Sequence, residues 1–339
     1  MHDLIIVGGG PAGLSAALYA KRRGLDYLVL ERGAIADTIY HYPIARRLFS
    51  TSNEVELEQS ALPRGAKPTR EEVLAHYTKL LRREQVAINT GEDVRRVART
   101  GRSFLVETNE GRYEGRTVLL AIGGFGIQRK LGVAGESESR VSYQFVEAHP
   151  YAMKRVLVVG GGNSAAEAAL YLSEAGAGVT LSIRRRSLDQ MVDYDNIGTA
   201  ASKTAAKIKP WVREPLERAV AEGLIDIILA SEVAEIRPRS VLLRVMSGEG
   251  AEIIEIECHH VFALIGADPD LRLLQQAGAE IAADGRPVYT REFETTVPGL
   301  YVAGHLTREL HMKNAIETGR KVVDHIASRV FEESLTCNV

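Results

Sequence analysis

Short continuous apolar runs alternate along this chain with longer segments whose apolar residues recur at helical spacing, as strands buried between helices do. Residues 4–7 are the first such run, residues 14–23 the first helix, stopped by Gly24, and residues 27–30 the next strand. Pro68, Thr69 and Glu72 then form a capping box ahead of a helix over 71–83. Strands are predicted at 86–89, 94–98, 104–108 and 117–122, punctuated by Gly91, Gly101 and Gly111. A second round opens with a strand at 155–159, a helix through 166–172 and a strand at 179–183. Beyond it lie a helix near 214–222 and strands at 225–229 and 241–246. Residues 253–265 first alternate and then become continuously apolar, like an edge strand feeding a buried one. The last lap is a strand over 299–303, then Gly304, His305 and a helix from Lys313. The fold class is α/β, with two Rossmann-like dinucleotide-binding domains.

Both rounds place a glycine-rich turn at the strand end. The first reads Gly8, Gly9, Gly10, Pro11, Ala12, Gly13, and the second Gly160, Gly161, Gly162, Asn163, Ser164, Ala165. In such a turn the first glycine allows the tight bend, the second lets a pyrophosphate approach the backbone, and the third position lets helix and strand pack closely. The helix N-terminus supplies free N–H groups and a positive dipole end. The next strand of the first unit ends in Glu31, suited to an adenosine ribose. The equivalent strand of the second ends in Arg184, Arg185 and Arg186, which would bind a 2′-phosphate through charge-assisted bonds, so the expected second ligand is NADPH. Arg185 and Arg186 are the stronger candidates. Leu264, Ile265 and Gly266 echo Ala121, Ile122 and Gly123, and mark where the chain crosses between domains. The expected domains are therefore 1–122, 123–265 and 266–339.

With 339 residues, 45% apolar and 25% charged, the chain is expected to be a soluble protein of two domains. A net charge of -2 and merely local Arg runs give no basic stripe, so neither nucleic acid nor an anionic membrane is an expected partner. Two cysteines, Cys258 and Cys337, exclude a disulfide framework or a cysteine metal cluster; Cys258 reads as a small buried hydrophobe in a strand. No secretory segment precedes the first strand, and the expected location is the cytoplasm. The connection through Asp37, Tyr40 and Pro43 to Phe49 and Asn53 is long, polar and aromatic, a composition that points to function.

These motifs together resemble the thioredoxin reductase-like pyridine nucleotide-disulfide oxidoreductases. The resemblance implies FAD in the first domain, three-layer ββα domains, and an NADPH domain inserted into the FAD domain. It adds Tyr40, Gly123, Gly304 and His305 to the cofactor-binding candidates. It places His305 where the family carries a flavin-contacting Asp, and puts Tyr143 and Val146 at the two positions of the redox-active CxxC, so the chain has no dithiol relay. The string Tyr143 to Tyr151, the residue 39–43 loop, Phe49 to Ser52 and Ile208 to Trp211 are similar to the bacillithiol-disulfide reductase family, in which a Cys stands in the first glycine turn where this chain has Ala12. The activity implied by the resemblance is hydride transfer from NADPH through FAD to a low-molecular-weight disulfide, in a homodimer or higher homo-oligomer. The polar candidates for catalysis are His149, Tyr143 and His305. Two alternatives stay open: a ferredoxin-NADP reductase with a small redox protein as acceptor, or a redox-sensing FAD- and NADPH-binding protein with little turnover.

Overall fold

The computed structural model describes residues 1–58, 62–191, 208–248, 250–308 and 311–336. They fall into two compact units: residues 1–126 with 269–339, and residues 127–268. These boundaries lie a few residues beyond the crossings expected from the repeated Ile-Gly pairs.

The first portion of unit 1 carries β1 (His2–Val7), α1 (Pro11–Arg22), β2 (Tyr27–Glu31), α2 (Asp37–Tyr40), α3 (Ser52–Val55), α4 (Arg70–Arg83), β3 (Ile88–Thr90), β4 (Val94–Thr100), β5 (Ser103–Thr108) and β6 (Arg112–Leu120). Unit 2 carries β7 (Ile127–Gln128), β8 (Val141–Ser142), β9 (Arg155–Val159), α5 (Asn163–Glu174), β10 (Gly178–Ser182), α6 (Pro210–Ala221), β11 (Ile225–Ile228), β12 (Ser231–Ile236), β13 (Ser240–Ser247), β14 (Gly250–Glu257), β15 (His260–Ala263) and β16 (Ala267–Asp268). The chain returns to unit 1 with α7 (Arg272–Gln276), β17 (Leu300–Val302) and α8 (Met312–Thr336).

The unit 1 sheet has the order β3-β2-β1-β6-β5-β4, with β17 also on β6. Strand β6 belongs to two patterns: its first half pairs antiparallel with β5, and its second half runs parallel to β1 and β17. Unit 2 repeats this plan with the parallel order β11-β10-β9-β15-β8 and a separate antiparallel meander, β12-β13-β14. What is one strand in unit 1 is divided in unit 2 at Cys258 and His259, between exposed β14 and buried β15. That division is the change from alternating to continuous hydrophobicity in the sequence. The first and last strands of unit 2, β7 and β16, pair antiparallel, and Arg129 forks onto Asp268 at 2.6 Å.

Several expectations shift. The residue 37–53 connection contains two short helices, α2 and α3, the latter closed by a capping box of Thr51 and Glu54. Strand β3 lies two residues later than the apolar pattern suggests, and β12 and α7 lie where no element is expected. The Thr69–Glu72 capping box ahead of α4 is formed in both directions.

Helix α8 packs along α1 through Gly319, where a Cβ would overlap the carbonyl oxygen of Ala12. Because the obstacle is backbone, Gly319→Ala is expected to cost about 1–3 kcal/mol and to lower the thermal midpoint by several degrees.

In unit 2, Tyr151 and His260 pack around Phe262 with centroids 4.6–5.0 Å apart, and His260 Nε2 lies 3.0 Å from the Ser142 hydroxyl. Burial, with Arg140 and Lys154 nearby, pulls the imidazole pKa from 6.5 down to about 4. Between those values the unfolded chain takes up a proton that the folded chain refuses, so stability should fall as pH drops from 6.5 toward 4. Melting curves across that range should show this loss, and His260→Phe should flatten it.

Candidate functional site

Strand β1 delivers the first glycine turn to the edge of an open cleft. Gly8 has φ +109, and a Cβ there would lie 2.5 Å from the carbonyl oxygen of Ala121, so only glycine fits between the two adjacent strand ends. A Cβ on Gly13 would overlap the Gly8 carbonyl, which fixes how closely α1 approaches the turn. Gly10 is different: nothing lies within 4 Å of where its Cβ would stand. It is the N-cap of α1, with no side-chain cap and no acidic residue in the first turn, so the N–H groups of the helix start are left for an outside acceptor. Glu31 is 6% exposed and accepts the Gly9 amide at 2.5 Å and the Gly33 amide at 2.7 Å. Burial raises its pKa against the pull of those two amides.

The cleft, about 250 Å³, lies wholly within unit 1. Of the sequence candidates it brings together Gly8, Gly10, Pro11, Ala12, Glu31, Gly123, Gly304 and His305. Gly13 is buried behind it. Tyr40 is not in its wall: 48% exposed, it stacks under Arg70, which also holds its carbonyl. Ile39 and Tyr42, its neighbours in the same connection, line the cleft instead. Gly304 has φ +66 and stands so close to Ala12 that a Cβ would come within 3.0 Å of the alanine methyl. His305 faces the ring of Phe125 edge-on at 5.6 Å.

Sequence reasoning missed Glu92, which also lines the cleft. It is 4% exposed and receives hydrogen bonds from Asn89 and Thr108, each at 2.8 Å. Burial alone would raise its pKa, but these donors and the Tyr113 phenol hold it below the ordinary value. The only sequence signal is its place in a turn after a strand.

Unit 2 repeats the turn. Gly160 has φ +151, and its Cβ would overlap the carbonyl oxygen of Leu264, the counterpart of Ala121. Gly162 caps α5 without a side-chain bond, and Ala165 is fully buried in the position of Gly13. Ser164 is exposed, whereas Asn163 is 4% exposed, accepts the Lys209 amide at 2.9 Å, and has no partner for Nδ2 among the described residues. Arg184, Arg185 and Arg186 follow β10 and are all exposed, and no carboxylate pairs with them among the described residues.

The other candidates are less available. Tyr143 donates to Glu136 and lies under Lys130, whose Nζ is 3.6 Å from the ring centroid. Burial and the Glu136 carboxylate push the phenol pKa well up, so Tyr143 is a poor proton donor at neutral pH. His149 is exposed at the start of a short 3-10 turn in unit 2. Cys258 is 3% exposed, within reach of Arg140, and burial raises its pKa, which suits a core residue. It lies just past β14 rather than within a strand. Cys337 lies outside the described residues. Among the described residues no His, Cys, Asp and Glu cluster could hold a metal, and no helix is long and apolar enough to cross a membrane.

A family profile described as pyridine nucleotide-disulphide oxidoreductase matches residues 5–304. The chain belongs to this family. Within the family, it is 35% identical to the bacilliredoxin reductase Bdr of Bacillus subtilis (strain 168), over 96% of both chains. A solved structure of the bacillithiol disulfide reductase Bdr (YpdA) from Bacillus cereus superposes with a TM-score of 0.85 at 32% identity, covering 97% of this chain and 99% of that one. A ferredoxin-NADP reductase of Ignicoccus hospitalis is 28% identical over 91% of this chain and 90% of its own. The chain is thus an oxidoreductase of the family that works with FAD and NADPH. The residues fit such cofactors: the space at Gly10, which a side chain would fill, opens on uncapped amides, and the arginines beyond β10 have no carboxylate partner among the described residues.

Because Gly10 has an ordinary φ of -81 and open surroundings, Gly10→Leu should leave the fold intact while blocking the anion site. The expected result is a melting temperature close to wild type for the cofactor-free protein, with FAD uptake lost by absorbance at flavin wavelengths. Equal FAD uptake by the variant would mean that the pyrophosphate lies elsewhere.

Proposed function

We propose that the chain is an NADPH-dependent reductase of a low-molecular-weight disulfide, with FAD in the unit 1 cleft and NADPH on the unit 2 turn. The observation that carries this reading is the opposite charge at two equivalent strand ends. At the end of β2 stands the buried acid Glu31, and just beyond β10 stand three exposed arginines without carboxylate partners among the described residues. An acid there would repel a 2′-phosphate, while a guanidinium fork binds it bidentately.

The bound cofactors supply the hydride chemistry, from nicotinamide C4 to flavin N5. The chain's part is to hold each pyrophosphate on the uncapped N-termini of α1 and α5 and to wall the reacting end with apolar and polar side chains. His305 and Phe125 are our candidates for the groups beside that end, with His305 able to hold or move a proton at a ring nitrogen.

The disulfide acceptor is supported by the relatives named for bacilliredoxin and bacillithiol disulfide reduction. Ala12, packed against Gly304, offers no thiol in the glycine turn, and no cysteine lines the cleft among the described residues. An acceptor reduced without thiol exchange with this chain therefore fits best. That same feature favours ferredoxin as the second reading, in keeping with the ferredoxin-NADP reductase relative.

The test is an anaerobic NADPH titration of the FAD-loaded protein, followed by turnover with bacillithiol disulfide, ferredoxin, thioredoxin, quinone and oxygen. Stoichiometric flavin bleaching and fastest turnover with the small disulfide are expected; fastest turnover with ferredoxin would replace the first reading by the second. Bleaching without turnover on any acceptor would favour a redox sensor. Joint replacement of Arg185 and Arg186 by Ala should cost about 1.5–3 kcal/mol per lost charged hydrogen bond, raising the Michaelis constant for NADPH at least tenfold and leaving NADH little changed. Equal losses with both cofactors would make the cluster structural.

A further inference from the structure

The cleft wall that carries Gly304 and His305 is a 3-10 turn, Gly304–Leu306, and among the described residues Thr318, Thr307 and Arg286 hold its backbone and that of the next residue. The Gly304 amide donates to the Thr318 hydroxyl at 2.9 Å, and the Thr307 hydroxyl donates to the Gly304 carbonyl at 2.7 Å. The third is Arg286, whose Nη1 donates to the carbonyls of both His305, at 3.4 Å, and Thr307. Thr307 is fully buried, and Arg286 is half-buried.

Among the described residues one acid, Asp284, is shared by two guanidiniums, those of Arg286 and Arg308. Asp284, the nearest acid in sequence, accepts the backbone amide of Arg286 at 3.1 Å and pairs with the Arg308 guanidinium at 2.8 Å. Among the described residues no carboxylate lies within ion-pair distance of the Arg286 guanidinium itself. A guanidinium removed from water without an acid partner is costly, and the cost is offset where negative charge comes close. The backbone carbonyls that accept from Nη1 leave its formal charge in place.

We propose that Arg286 is a positioning residue for the flavin: it fixes the turn that presents His305 and places a permanent positive charge behind it, favouring the electron-rich reduced cofactor. This rests on the reading that the unit 1 cleft holds FAD. The two functions of the side chain separate by substitution. Arg286→Gln keeps a donor and removes the charge, whereas Arg286→Lys keeps the charge and loses the planar fork.

The experiment measures three properties of FAD-loaded wild type and variants: the FAD dissociation constant, the melting curve, and the reduced-to-oxidised flavin ratio in a dithionite titration against a reference dye. Arg286→Gln is expected to lower that ratio at least tenfold at a fixed solution potential, about 30 mV for a two-electron couple. Arg286→Lys should stay within threefold of wild type in the ratio and weaken FAD binding about tenfold. A residue serving only as a strut would lower the melting temperature and leave the ratio unmoved in both. A folded Arg286→Gln with the wild-type ratio therefore overturns the proposal. Should Arg286→Gln not fold, Arg286→Lys decides: FAD binding as tight as wild type overturns it. Wild-type protein that takes up no FAD would sink the cleft assignment, and this proposal with it, and is told apart by needing no variant.

Discussion

Each glycine-rich turn depends on one close approach between backbones. Gly8 lies against the carbonyl of Ala121, and Gly160 against that of Leu264, in each case just past the end of the parallel strand beside it. A side chain at either glycine would drive those strand ends apart, and with them the helix start that the turn aims. The remaining local order is built on that contact. In unit 1, Gly13 lets α1 close on the turn, Gly319 lets α8 close on α1, and Gly304 brings the His305 turn against Ala12. Four glycines from the two ends of unit 1, Gly8 and Gly13 with Gly304 and Gly319, thus define one packed corner beside the cleft.

Within that corner electrostatics takes over from sterics. Glu31 spends its two oxygens on the amides of Gly9 and Gly33, so it shapes the turn as well as offering remaining lone pairs to a ligand. The arginines after β10 make no such local contacts with acids among the described residues, and their charge faces outward. The two copies differ here: Ile183 stands against Gly161 where Glu31 stands against Gly9, and the arginines begin one residue later.

Much of this was legible from residue order, because it rests on local rules. The turns, their helices and β9 are set by glycine spacing and short apolar runs. The failures have physical causes. Ser231 to Ile236 spaces its apolar residues helically, and in the strand this is absorbed by a register shift between Val233 and Glu235. Strand β6 begins at Arg112, five residues ahead of the expected start, because its first half, paired with β5, is polar and largely exposed and carries no apolar run. Tyr40 and Tyr42 cannot be ranked from sequence, since the short α2 decides which ring turns to the cleft. Glu92 and Arg286 stayed hidden because partners distant along the chain define them, Thr108 and Tyr113 for one and the His305 and Thr307 carbonyls for the other.

The pairing of β7 with β16 carries a consequence for how the polypeptide reaches this state. Strand β17 must find β6, Val118 beside Leu300, across the whole of unit 2. If unit 2 folds first, its two ends meet at Ile127 and Asp268 and the search is shortened roughly fourfold in effective chain length, worth about 1 kcal/mol of closure entropy. The inserted unit then acts as a clasp, and completion of unit 1 becomes a much shorter search along the chain.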